Sequence, residues 1–478
     1  MTGGGPQVVV VGAGPVGLIM AGLLGRQGLS VLLVERDHEA GGQPRAIAAD
    51  DVMLRVLRSL PGLEAVVRQM LGPVPVRVQD HRGRRITNID FGMTELGAPG
   101  LAFFHQAALE RGLHEALKAL STVSLRRGVE VTGLAPTNAG VQLTMASGEV
   151  VSTGYVVGCD GAGSTVRRLL GVPYTGRTAA QRWLVIDADT DRPLSDHFSY
   201  RVDPARPSVS LPRPGGHRWE FMLRPGEDPV TLTRGAGLKE LIAPDVAGAE
   251  IRLLRAADYT FHTRLASRWR QGRVLLAGDA AHCMPPFAGQ GLGAGVRDAS
   301  ALAWRLAEVI GTEVIGTEVI GGRSAADLLD GYEAERRPDV RAMIRTARIA
   351  GALLQTTSPA RAAATRCLLR SIDAAPIAGP WFRRGGLRPR PAGRALPNPV
   401  VSTAGGPRRL DELLGVGWAL LVPPGDGSVP DQLRGRDFTR LTVSAGPGTT
   451  VQDLDGELLA LIDRAGGRLV VRPDRYLS

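Results

Sequence analysis

Cysteine is scarce in this chain of 478 residues, with only Cys159, Cys283 and Cys367 far apart and in no CxxC or Cys/His cluster. Neither a disulfide scaffold nor a zinc or other metal site is therefore implied. Lysine is scarcer still, confined to Lys118 and Lys239, so the net charge of +10 is arginine scattered along the chain rather than a basic patch. Enrichment in Arg, Ala, Gly and Pro reads as genome bias, and a nucleic-acid partner is not expected. No apolar run reaches eighteen residues, and the Met-Thr-Gly-Gly-Gly start has neither a basic flank nor an apolar core. A membrane span and a signal peptide are thus not expected, and a cytoplasmic location is. A hydrophobic share of 44% and a charged share of 22% are those of a globular protein. The length predicts two or three domains rather than one core.

What is present begins with a βαβ unit. Residues 7–12 are a short β-branched run read as a buried parallel strand, Pro15 to Gln27 a helix, and Ser30 to Glu35 a second buried strand. A helix is expected at about Gln106 to Leu120, short strands between 124 and 159, and further strands over 181–262, among them Trp183 to Ala188 and Arg218 to Leu223. A third buried strand at Arg273 to Ala277 precedes a Gly-rich turn and a helix of roughly Val296 to Val309. The pentapeptide Gly-Thr-Glu-Val-Ile at 311 recurs at 316, a small duplication too short for a repeat protein. A helix over about Ala325 to Ala352 follows. Residues 372–408, rich in Pro, Gly and Arg, read as a linker. The tail, with strands at Trp418 to Val422, Arg440 to Ser444 and Arg468 to Arg472 around a helix at Leu454 to Ala465, reads as a small α/β domain.

Two constellations carry chemistry. Gly12-Ala13-Gly14-Pro15-Val16-Gly17 lies between a buried strand and a helix, the context that a dinucleotide fingerprint requires. Gly12 permits the tight turn, Gly14 lets backbone approach a pyrophosphate, and Gly17 lets helix pack on strand, while the helix N-terminus offers N–H groups to phosphate. Glu35, followed by Arg36, ends the second strand, where a carboxylate can bind ribose hydroxyls. The second runs from Leu275 through Gly278-Asp279 and His282 to Pro285-Pro286 and Gly289-Gln290-Gly291. Here a strand delivers the Asp279 carboxylate, able to bind a polyol hydroxyl, ahead of a Gly-rich helix start able to stabilise negative charge on a nearby ring. His282 is read as structural rather than as a general base, His262 as satisfied or at the surface, and Cys283 as packing.

With these two motifs and Cys159-Asp160-Gly161-Ala162-Gly163-Ser164-Thr165-Val166-Arg167, the chain resembles the flavoprotein aromatic hydroxylases of the para-hydroxybenzoate hydroxylase type. Finer similarity to the 3-(3-hydroxyphenyl)propionate hydroxylases and polyketide hydroxylases lies in Pro44-Arg45-Ala46-Ile47, Phe104-His105-Gln106, Arg218-Trp219-Glu220-Phe221-Met222 and Val471-Arg472-Pro473-Asp474-Arg475-Tyr476. The resemblance implies an α/β fold: a Rossmann-like FAD-binding domain (1–75, 101–180, 263–371), an inserted mixed β-sheet substrate domain (76–100, 181–262), and, after the linker, a thioredoxin-like domain (409–478) without redox cysteines. It implies FAD as cofactor, NAD(P)H as co-substrate, and hydroxylation of a phenolic aromatic with O2 through a flavin C4a-hydroperoxide. A homodimer is an assembly it allows.

By the same resemblance, Arg45 lies near the FAD pyrophosphate and Gln106 near the ribityl chain or flavin ring. Asp160 serves FAD and pyridine nucleotide, Pro286 presents its carbonyl to the substrate, and Arg218 sits beside the ring. Gly289, Gly291, Leu292 and Gly293 border the flavin; Gly293 departs from the Asn of many relatives, so a side-chain hydrogen bond is missing there. Three rival readings remain open. They are a hydroxylase or Baeyer–Villiger oxygenase tailoring a polycyclic polyketide or antibiotic, an NAD-dependent dehydrogenase, and a non-catalytic flavin-binding protein.

Overall fold

The computed structural model describes residues 5–39, 46–315, 324–375, 394–446 and 450–478. Arg45 and the second Gly-Thr-Glu-Val-Ile copy lie outside the described residues. The first copy extends a helix, Gly291–Ile315, that begins five residues earlier than its apolar periodicity suggests, because glycines rather than apolar side chains form its first turn.

The initial βαβ unit is present as Val8–Val11, Pro15–Arg26 and Val31–Glu35. These strands join Val123–Arg127, Tyr155–Gly158 and Val274–Leu276 in a sheet whose five main strands are parallel, with the short Arg270–Gln271 antiparallel at one edge. Val10 is flanked by Val157 and Leu33, and Val157 by Leu275, so the sheet's centre is continuous aliphatic side chain. Such strands lack polar alternation because helices cover both faces. Pro15–Arg26 and Gly291–Ile315 pack on it and on each other, and a Cβ at Gly295 would strike the Val16 side chain at 2.6 Å.

A second sheet of eight strands runs in the order His282–Cys283, Ile251–Ala266, Tyr174–Thr190, Gly216–Met222, Ser208–Arg213, Phe198–Val202, Val76–Asp80 and Arg85–Ile89. Two of these strands are long, at 17 and 16 residues, and run across the boundaries read at 180/181 and 262/263. Their ends reach back to His282–Cys283, through Leu265 opposite His282, so the two sheets are joined by continuous strands rather than by flexible connections. Apolar residues here alternate between faces. Trp219 and Phe221 pack on one side with Leu184 and Ile186, while Met222 and Trp183 pack on the other with Phe103 and Phe261.

The C-terminal part departs from the sequence reading at its start. Val400–Thr403 and Gly406–Arg409, inside the expected linker, form a hairpin in a six-stranded sheet with Val451–Gln452, Phe438–Ser444, Trp418–Val422 and Leu469–Val471. The Gly405-Gly406 turn and the prolines around it obscure two four-residue strands in a Pro/Gly-rich stretch. The expected tail helix is shorter than read, Glu457–Arg464. One face of this sheet forms its own core of Val401, Leu421, Val443 and Leu461; the other sends Trp418, Leu420 and Val422 into the core of the first domain. Arg55 secures the junction, donating to both carboxylate oxygens of Asp411 (2.6 and 2.5 Å) and to the Leu396 carbonyl (2.7 Å).

His217 in the eight-stranded sheet has no exposed surface, and burial pulls its pKa down to about 4. A neutral buried imidazole stabilises fully above its ordinary value of 6.5, and that contribution drains as pH falls towards 4, because the unfolded chain takes the proton first. Urea unfolding is expected to lose up to about 3 kcal/mol over that interval on this account. His217→Gln should flatten the curve there; an unchanged slope in the variant would place the acid sensitivity elsewhere.

Candidate active site

The fingerprint turn is shaped by what cannot be there. Gly12 has φ +98°, and a Cβ on it would sit 2.7 Å from the Asp160 Cα, while a Cβ on Gly17 would fall inside the Gly12 carbonyl oxygen. A Cβ on Gly14 would meet nothing within 4 Å, because Gly14 opens onto space. It is also the N-cap of Pro15–Arg26, which has no side-chain cap. A helix start left uncapped beside an open glycine is built for an anion. Glu35 closes the turn from behind, accepting the Ala13 N–H at 2.7 Å and the Asp37 N–H at 3.0 Å. Arg36 is solvent-exposed, 3.8 Å from Asp37.

The Asp-Gly motif fixes its own loop and grips the next motif. Asp160 accepts from the Ser164 hydroxyl at 2.5 Å and the Val166 N–H at 3.0 Å. Arg167 donates to the Ala162 and Ala280 carbonyls and stacks on the Tyr174 ring at 3.8 Å, and the Tyr174 hydroxyl donates to the Asp279 carbonyl at 2.8 Å. The backbone around Asp279 is thereby held from two sides. From beneath, Gly278 donates its N–H to Asp298, which also binds His282 Nε2 at 2.6 Å and Arg336 Nε at 3.0 Å. Burial would raise the Asp298 carboxyl, but His282 and Arg336 outweigh it and hold it below the usual carboxylate range. His282 is thus part of a buried structural network and does not line the cavity.

Between the two large sheets lies a cavity of about 550 Å³. Gly14, Pro15, Val16, Gln106, Asp279, Pro286, Gly289, Gly291 and Leu292 line it, so both motifs converge on one space. The side of the eight-stranded sheet contributes Phe103, Phe198, Tyr200, Tyr259, Phe261 and Phe287, in mutual ring contacts such as Phe261–Phe287 at 5.2 Å. Pro286 is at the wall, with its carbonyl accepting the Gly289 N–H at 2.7 Å. Gln106 accepts from the Ala46 N–H and donates to Glu110, pinning the chain where the strand Ala48–Ala49 begins. Gly293 stands beside a buried ion pair, Arg297 to Asp50 at 2.6 Å; a Cβ there would meet both partners at 3.1 to 3.2 Å.

Arg218 is placed differently from the expectation. It faces the cavity side of the sheet but is absent from the lining; it sits opposite Asp187 and donates to both its carboxylate oxygens at 2.6 and 2.8 Å, with Arg255 on the far side of the same aspartate. A bidentate pair directly across two strands draws the guanidinium along the sheet instead of into the cavity. Two residues on, Glu220 reaches the lining in its place. Sequence reasoning quoted Glu220 within its motif without singling it out; the two-residue period of a strand, which puts 218, 220 and 222 on one face, is the signal that finds it.

A profile described as "FAD binding domain" matches residues 6–347. The 3-(3-hydroxy-phenyl)propionate/3-hydroxycinnamic acid hydroxylase 2 of Burkholderia vietnamiensis is 34% identical over 99% of this chain and 93% of its own. The chain belongs to the flavoprotein aromatic hydroxylases. Among solved structures, this hydroxylase superposes on the anhydrotetracycline hydroxylase from Streptomyces rimosus with a TM-score of 0.76 at 28% identity, covering 99% of this chain and 94% of that one. It matches an aklavinone-11 hydroxylase in complex with FAD and aklavinone with the same TM-score at 26% identity, over 100% and 95% of the two chains. The hydroxylase is an FAD-dependent monooxygenase, and the dehydrogenase and binding-protein readings fall away. Its open Gly14, uncapped helix start and converging motifs fit that cofactor.

Gly17→Ala should abolish flavin retention, because the methyl group forces the helix off the strand that carries the phosphate turn. Flavin absorbance per protein after gel filtration is expected to fall at least about ten-fold; wild-type loading would show that the helix can move without losing the site.

Proposed function

We propose that the cavity is where this enzyme hydroxylates a phenolic aromatic ring, and that its wall of six aromatic side chains facing the two glycine motifs is the observation that carries this reading. Bound FAD supplies the redox chemistry, taking hydride from NAD(P)H and delivering one atom of O2 to the ring. Gly12, Gly14, Val16 and Gly17 receive the pyrophosphate at the helix start, Glu35 the adenosine ribose, and Asp279 and Asp160 the remaining polyol side. The first turn of Gly291–Ile315, with Leu292 and Gly293, would offer its N–H groups to negative charge on the reduced cofactor. Gln106 and Pro286 border the ring and the substrate. Arg218, held by Asp187, acts from behind Glu220 as a fixed positive charge.

A second reading concerns substrate size and charge. Among the described residues the lining contains no Lys or Arg, which favours an uncharged polycyclic phenol over a small phenol carrying a carboxylate tail. The C-terminal sheet, with Trp418–Val422 parallel to Phe438–Ser444 and antiparallel to Leu469–Val471, supports a thioredoxin-like domain. It carries no cysteine, so its role is structural. A cytoplasmic enzyme that works as a homodimer completes the reading.

Aerobic NADH and NADPH oxidation by the FAD-loaded protein, run against 3-(3-hydroxyphenyl)propionate, simple phenols and polycyclic hydroxyquinones with product masses recorded, tests it. Stimulated oxidation with gain of one oxygen atom, strongest for the polycyclic compounds, is expected; stimulation by the propionate alone would overturn the second reading. Asp279→Ala should weaken FAD binding by roughly ten- to hundred-fold, the cost of about 1–3 kcal/mol for leaving cofactor hydroxyls unmatched. Unchanged affinity in a flavin titration would remove Asp279 from the site.

A further inference from the structure

Glu220 is an anomaly in the cavity wall. It is 8% exposed, and its carboxylate accepts no hydrogen bond within the described residues. Three other polar groups around the space are already engaged. Tyr200 donates to the Phe287 carbonyl at 2.9 Å, Gln106 is held by Ala46 and Glu110, and His262 Nδ1 is 3.0 Å from the Thr178 hydroxyl. Buried carboxylates ordinarily find donors, because an unmatched one costs stability.

The charges around Glu220 do not satisfy it. Arg218 on its own strand is spent on Asp187, with Arg255 on the neighbouring strand bound to the same aspartate. Burial raises the Glu220 carboxyl, Asp187 adds to this, and the attraction of Arg218 and Arg255 does not cancel it. Tyr200 lies close enough for the Glu220 carboxylate to help raise the tyrosine's own pKa. A carboxylate that faces a cavity of aromatic rings without a partner is a vacant acceptor waiting for a donor on the ligand.

We infer that Glu220 receives a hydrogen bond from a hydroxyl group of the aromatic substrate, and that this bond selects free hydroxyarenes over their methyl ethers. The inference rests on the hydroxylase reading for the class of ligand and adds the residue that recognises it. Donation of the ring hydroxyl's O–H to a Glu220 oxygen also draws the proton away from the ring oxygen, which raises electron density ortho and para to it. The vacancy costs stability in the free enzyme, as sites shaped for a ligand commonly do.

The test uses the full-length, FAD-loaded protein with 2-naphthol and 2-methoxynaphthalene as probes, binding read from the perturbation of flavin absorbance. Wild type is expected to prefer the naphthol by at least about ten-fold, equivalent to about 1.4 kcal/mol. Glu220→Leu should bring the pair within about two-fold, and melt no lower than wild type without ligand. Glu220→Gln, which keeps shape and a weaker acceptor, should cut the preference at least about three-fold and serves if the leucine variant does not fold. The inference is overturned if wild type binds neither probe or shows no preference, or if the preference persists in the folded variants. Product mass separates it from the hydroxylase reading: a preference without oxygen insertion counts against hydroxylation alone, and hydroxylation without a preference counts against Glu220 alone.

Discussion

Much of this molecule hangs on a carboxylate that never reaches water. Asp298, fully buried, receives the Gly278 N–H, His282 and Arg336, and Arg336 in turn holds Asp339. Placing such a charge in a core costs several kcal/mol unless its lone pairs are matched, and here they are matched by three donors from three elements. The result is a rigid knot joining the strand Val274–Leu276, the Gly-rich helix that follows it and the long helix Ala325–Leu354. Because Gly278 is one of the donors, the knot sets the backbone on which Asp279 is presented. A loosened Asp298 would move the second motif relative to the first, and the two have meaning only together.

The same logic of matched charge governs the eight-stranded sheet, with the opposite outcome at one position. Along the row Arg218, Asp187 and Arg255, opposite charges face each other across adjacent strands and neutralise one another. One row on, Glu220 lies between Val185 and Val209, neither of which can donate from its side chain. At this position the sheet presents a carboxyl to the cavity instead of pairing it across a strand. The aromatic rings around that cavity lower the local dielectric, which strengthens polar contacts made against them.

The C-terminal sheet contributes no group to the cavity lining, yet it is bound to the first domain through both apolar and ionic contacts. Trp418 meets Trp304 edge to face at 5.6 Å, Trp304 donates to Asp474, and Arg472 pairs with Glu335. Glu335 neighbours Arg336 in the helix that supports Asp298. Docking of the C-terminal sheet therefore braces the helix behind the second motif.

The sequence by itself determined the fold class, the FAD fingerprint and the two further motifs, because each depends on local rules. Continuous β-branched runs mark strands covered on both faces, and glycines at 12, 14 and 17 mark a turn that tolerates no side chain. Only the tertiary structure decided where long-range pairing was at stake. The hairpin at 400–409 was hidden because its strands are four residues each in a Pro/Gly-rich stretch, and their place in a sheet comes from Gln452, fifty positions after Ser402. Nothing local reveals that Asp187, thirty-one residues from Arg218, lies directly across the sheet and pairs with it. For the same reason Glu220 passed unnoticed: what sets it apart is the donor it lacks, and a missing partner becomes visible only when every neighbour has been put in place.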